Sequence, residues 1–129
     1  MSKKVLLVDD EAGFTELLKM NLEKSGDFEV QIENDSTQAL GTARRFQPDA
    51  ILLDVVMPGM DGGDVQAQFQ EDPILGSVPI IMLTALVDSA ELSEGAVAQS
   101  GSSIMLPKPV DLPLLLGVLN SALEAAEEG

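Results

Sequence analysis

Val5-Leu6-Leu7-Val8-Asp9-Asp10-Glu11 sets four apolar residues directly against three acids. A run this short, closed at once by charge, reads as a strand buried on both faces rather than as a helix. The same pattern recurs outward from it. Ala50-Ile51-Leu52-Leu53 stops at Asp54, Pro79-Ile80-Ile81-Met82-Leu83 stops at Thr84, and Ser103-Ile104-Met105-Leu106 runs into Pro107 and Lys108. Phe28-Glu29-Val30-Gln31-Ile32 alternates instead, as an edge strand with one wet face does.

The segments between these runs carry helical spacing. Phe14, Leu17, Leu18 and Leu22 share one face of a helix that stops near Gly26. A second helix is predicted over Ser36 to Phe46, with Ala39, Leu40, Ala43 and Phe46 inward. A third follows the Pro/Gly loop at 57–63 and reaches about Asp72. Asp88 to Ser100 reads as a marginal helix, weakened by Gly95 and few large apolar residues. Asp111 opens a last helix running to about Ala126, with Leu112, Leu115, Leu116, Leu119 and Leu123 as its core stripe and Leu114 and Val118 off it. Five strands alternating with five helices predict an α/β fold, a doubly wound five-stranded parallel sheet covered on both faces. One domain is expected over 1–126, with 127–129 as a tail or linker stub.

Composition removes whole classes of chemistry. The 129 residues contain no cysteine and no histidine, which excludes disulfides, thiolate catalysis, His triads and His- or Cys-ligated metals. Seven basic residues stand against 22 acidic ones, a net charge of −15. Such a field repels nucleic acid and anionic lipid and attracts cations. Past Arg45 the only basic residue is Lys108, held between Pro107 and Pro109. No apolar run approaches the ~20 residues of a membrane span, and the opening MSKKVLLVDDE is no signal peptide. A cytoplasmic protein, without membrane or direct nucleic-acid contact, is the expectation.

In a parallel sheet the strand ends point one way, so Asp9, Asp10, Asp54, Thr84 and Lys108 converge on one edge, where open α/β sheets bind ligands. Crowded carboxylates repel, and a divalent cation relieves them; oxygen donors alone suit Mg²⁺ or Mn²⁺. A lysine and a hydroxyl beside such an ion form a second anion-stabilising wall, fit for a phosphoryl group. Each residue also has an ordinary reading. Asp10 can cap the first helix, Asp54 can sit in a turn, Thr84 can merely end a strand, and Lys108 can be a solvated charge. The joint placement at successive strand ends is what speaks for a site.

These residues resemble those of the receiver domain of two-component response regulators. The likeness lies in VLLVDDE at 5–11, LLDVVMPGMDG at 52–62, Thr84-Ala85 and Lys108-Pro109, and it extends over essentially the full length. It implies a flavodoxin-like (βα)5 fold with strand order 2-1-3-4-5, and Asp54 as acceptor of a phosphoryl group from a phosphohistidine. The donor would be a sensor histidine kinase or histidine phosphotransfer protein. The resemblance further implies Mg²⁺ held by Asp9, Asp10, Asp54 and the backbone carbonyl of Val56, with Thr84 and Lys108 on phosphoryl oxygens. The fourth helix, fifth strand and fifth helix would form the responding surface and a possible homodimer contact.

Departures from that family are visible too. Met105 stands where an aromatic ring is usual, and Val56 and Leu86 are apolar at positions that govern water's approach to the phosphate. The rival reading is a Mg²⁺-dependent phosphatase or phosphotransferase with an aspartyl nucleophile. Enzymes resembling the haloacid dehalogenase family show DxD at the first strand, whereas Asp9 and Asp10 are adjacent. A nucleotide-binding module lacks its fingerprint, since no GxGxxG follows the first strand.

Overall fold

The computed structural model describes residues 3–54, 62–84, 98–100, 103–107 and 110–128. In chain order these form β1 (Lys3–Val8), α1 (Ala12–Lys24), β2 (Phe28–Glu33), a 3₁₀ turn (Ser36–Gln38), α2 (Ala39–Phe46) and β3 (Ala50–Asp54). There follow α3 (Gly62–Glu71), β4 (Ile80–Thr84), β5 (Ala98–Ser100), β6 (Ser103–Pro107) and α4 (Leu112–Glu128). The sheet order is β2-β1-β3-β4-β6-β5, parallel throughout except that β5 runs antiparallel to β6. The expected five-stranded parallel order is therefore present, with β6 as its fifth strand.

The strand periodicity sorts the core into two layers. Val5 and Leu7 of β1, Ala50 and Leu52 of β3, and Ile81 and Leu83 of β4 join Leu18 and Leu22 of α1 and Leu115, Leu119 and Leu123 of α4. The intervening residues Leu6, Val8, Ile51, Leu53, Ile80 and Met82 join Ala39 and Ala43 of α2 and Val65 and Phe69 of α3. Successive side chains of a strand point to opposite faces, and here both faces meet helices. That is why Val5–Val8, Ala50–Leu53 and Ile80–Leu83 are hydrocarbon at every position. Each large side chain fully buried this way contributes about 1.5–3 kcal/mol.

Helix ends follow local chemistry. Gln47, at φ 54°, ends α2 in the left-handed region, its N–H donating to the Ala43 carbonyl at 2.8 Å, and Pro48 forbids continuation. Asp111 accepts from the Leu114 N–H at 3.4 Å and opens α4 as expected. Past α3, Asp72 accepts from the backbone N–H groups of Ile74 (2.8 Å) and Leu75 (3.1 Å) and from Arg44 Nε (2.7 Å), tying α2 to the end of α3.

Four expectations are corrected. Residues 98–100 are strand rather than the end of a helix, while 88–97 lie outside the described residues. Ser100 pairs with Ser103. The second helix begins with a 3₁₀ turn, because Asp35 captures the Thr37 N–H at 2.9 Å and tightens the entry. Leu17 is 59% exposed; Thr15 takes the inner position, fully buried through hydrogen bonds. Finally, Leu114 and Val118 are half-buried against the first core layer, one flank of a broad stripe rather than a pair outside it. No helix among the described residues is long and apolar enough to cross a membrane.

Candidate functional site

Strand register builds the site. Val8 of β1 pairs with Leu53 of β3, so the next residues, Asp9 and Asp54, leave the sheet side by side. Asp54 pairs with Leu83 of β4, which puts Thr84 one step further out, and Thr84 pairs with Pro107 of β6. The carboxyl ends of three parallel strands, β1, β3 and β4, thus bring Asp9, Asp54 and Thr84 to one edge. Thr84 stands there by its backbone; Val56 and Lys108 lie outside the described residues.

Asp9, Asp10 and Asp54 each offer a carboxylate oxygen, all within 4.8 Å of one another. Asp9 is fully buried and Asp54 is 5% exposed, whereas Asp10 is open to solvent. Asp9 is woven into its surroundings: its Oδ1 accepts from the Glu11 N–H at 3.0 Å, and its own N–H donates to the Glu33 carbonyl at 3.2 Å. Its carbonyl accepts from Asn34 Nδ2 at 2.7 Å. Glu11, not Asp10, occupies the cap position of α1, and no side chain caps it. The alternative role of Asp10 as a helix cap is therefore removed, which leaves its carboxylate for the cluster.

Electrostatics say what the cluster is suited to. Like charges at such separations repel by about 3–4 kcal/mol per pair at an effective dielectric of 20. A divalent cation between them turns that repulsion into attraction. Octahedral Mg²⁺ sets neighbouring oxygens about 3 Å apart and opposite ones about 4 Å apart, so donors this close suit a mixed shell of carboxylates and waters. With neither histidine nor cysteine in the chain, the donor set is hard oxygen only, which fits Mg²⁺ or Mn²⁺.

Two residues of the site's surroundings were not legible beforehand. Thr15 lies at a buried position of α1, where a polar residue signals a partner, and Asn34 is that partner at 3.1 Å. The pairing spans 19 residues of sequence, and nothing local to Asn34 announces it.

Comparison with known proteins places this arrangement. The response regulator receiver domain family matches residues 5–120. The DNA-binding response regulator MtrA of Mycobacterium tuberculosis is 39% identical over 113 residues, 87% of this chain and 48% of the relative. Response regulator PleD of Caulobacter vibrioides is 38% identical over 121 residues, 94% of this chain and 26% of the relative. The chain thus spans about half or less of the length of these curated relatives. Among solved structures, chemotaxis protein CheY4 of Vibrio cholerae superposes with a TM-score of 0.78 at 30% identity, covering 95% of this chain and 99% of that one. With a match across nearly all of its sheet and helices, the chain belongs to the family of response regulator receiver domains, the signalling switches of two-component systems.

Proposed function

We propose that Asp54 is the phosphoacceptor of a histidine-to-aspartate relay, charged by a phosphohistidine on a sensor histidine kinase or histidine phosphotransfer protein. The observation that carries this reading is the meeting of Asp9, Asp10 and Asp54 within 4.8 Å at the carboxyl edge of the sheet. An Asp54 carboxylate oxygen attacks phosphorus, the P–N bond to the donor imidazole breaks, and that ring nitrogen keeps the electron pair. An acyl phosphate remains on Asp54. Water later attacks the same phosphorus and returns the carboxylate and inorganic phosphate.

Asp9, Asp10, Asp54 and the Val56 carbonyl would hold Mg²⁺, or Mn²⁺ in its place, and a bound ion supplies charge neutralisation for the phosphoryl oxygens. Asp10, exposed at the rim, is the ligand an entering ion meets first. Lys108 follows Pro107 in sequence, and Pro107 pairs with Thr84; the Lys108 ammonium and Thr84 hydroxyl would contact phosphoryl oxygens and share their charge. The phosphoryl dianion then biases the responding surface at β6 and α4, a population shift driven by local charge. Residues 1–126 are read as this receiver unit, although α4 continues past the expected boundary to Glu128. Leu114 and Val118 are partly buried against the first core layer. The charge of −15 opposes direct contact with nucleic acid or anionic membrane, and a cytoplasmic location matches a kinase-facing switch.

The test is transfer from a ³²P-labelled phosphohistidine protein in Mg²⁺. Label that passes to the wild type and not to Asp54→Ala supports the proposal. Steady turnover of an external phosphate ester, surviving in Asp54→Ala, would overturn it in favour of a phosphatase.

A further inference from the structure

We infer that Asn34 is a positioning residue for the acid cluster, its side-chain amide tying down both arms of the turn that carries Asp9 and Asp10. The inference rests on the cation-assisted reading proposed above. Asn34 Nδ2 donates to the Asp9 carbonyl at 2.7 Å and to Thr15 Oγ1 at 3.1 Å. An amide nitrogen has two protons, and these two acceptors use both. The Asp9 carbonyl only accepts, so the amide must present its nitrogen and not its oxygen. Thr15 Oγ1 in turn donates to the Ala12 carbonyl at 3.0 Å, which accounts for a hydroxyl at 0% exposure.

One side chain at the end of β2 therefore grips the end of β1 and the first turn of α1. Asp10 and Glu11 lie between the two gripped points. The Asp9 carboxylate adds an inner brace through the Glu11 N–H at 3.0 Å, and the Asp9 N–H to Glu33 carbonyl bond fixes the near arm to β2. Asn34 is itself exposed and adds little to the core, so what its two bonds hold is the turn. A turn held in place keeps the Asp10 carboxylate near Asp9 and Asp54 before an ion arrives. Without that grip, each binding event must order the turn anew, at a cost in conformational entropy.

Mn²⁺ is the probe, its free concentration read by electron paramagnetic resonance against wild type, Asn34→Ala, Thr15→Val and Thr15→Ser. Metal-free thermal melts of each confirm folding. Asn34→Ala weakens Mn²⁺ binding by about tenfold, the lower end for groups that orient metal ligands from behind. Thr15→Val weakens it in the same direction, and Thr15→Ser, which keeps the hydroxyl, restores wild-type affinity. Wild-type affinity in a folded Asn34→Ala overturns the positioning role while leaving the ion site intact. Should that variant not fold, equal affinities in Thr15→Val and Thr15→Ser overturn it instead. A wild-type chain that binds no Mn²⁺ removes the site, and the positioning role with it.

Discussion

Asp9 and Asp10 are neighbours in sequence, yet one is fully buried and the other open. Their substitution should therefore separate stability from ion binding. Asp9→Ala strips the Glu11 N–H of its acceptor, a loss of about 1–3 kcal/mol. Urea unfolding in EDTA reads that loss against the repulsion relieved, and Asp10→Asn, which only relieves repulsion, is expected to unfold at higher urea than wild type in the same buffer while binding Mn²⁺ more weakly. Equal unfolding curves for the two variants would contradict the division of roles. Val56 and Leu86 can neither orient nor activate a water, since both side chains are hydrocarbon. A long-lived acyl phosphate is therefore the expectation, and Val56→Gln should shorten its lifetime several-fold, followed as loss of label from purified phosphoprotein. Rapid spontaneous loss from the wild type would refute the expectation.

The secondary-structure elements were legible in proportion to how plainly they are built of hydrocarbon. β1, β3 and β4 are apolar runs that end at charge or hydroxyl, and their placement followed from that alone. β5 is Ala-Gln-Ser, three residues with no periodicity to show, and only its pairing to β6 makes it a strand. Leu17 and Thr15 exchanged places in α1 because a hydrogen-bonded threonine competes for an inner position that hydropathy assigns to leucine. In the other layer, Phe69→Ala empties a fully buried site on α3 and should cost about 3–5 kcal/mol by chemical denaturation. Acid should loosen the fold around α2 and α3. The Ile74 N–H, Arg44 and the Leu75 N–H hold the Asp72 carboxyl below its ordinary value of 3.8, and the Thr37 hydroxyl and N–H do the same for Asp35. Groups depressed in the folded state stabilise it above the unfolded pKa and lose that contribution as pH falls through the folded one. Stability from these two groups is thus expected to be level from neutrality to about pH 5 and to decline below about pH 4. Asp72→Asn should flatten that decline in a pH series of thermal melts.

Taken together, the sheet edge and the charge around it act as one device. A net charge of −15 draws cations toward the cluster from beyond contact distance, and salt screens that attraction over about 8 Å at physiological ionic strength. Mn²⁺ affinity should accordingly fall between low and high KCl, and an affinity indifferent to salt would deny the field any part in it. The same field should keep the chain off DNA at about 0.15 M salt, measured by filter retention. What no stretch of sequence could disclose is how Asn34 reaches Asp9 across 25 residues, because that contact exists only once β1 and β2 lie side by side. The central proposition is that Asp54 takes a phosphoryl group with a divalent ion beside it. Peptide-mapped mass spectrometry after acetyl phosphate, with Mg²⁺ or with EDTA, tests it most directly. One phosphoryl group on the peptide containing Asp54, present in Mg²⁺ and absent in EDTA, is the result expected. Modification at another residue, or at Asp54 regardless of the ion, would contradict it.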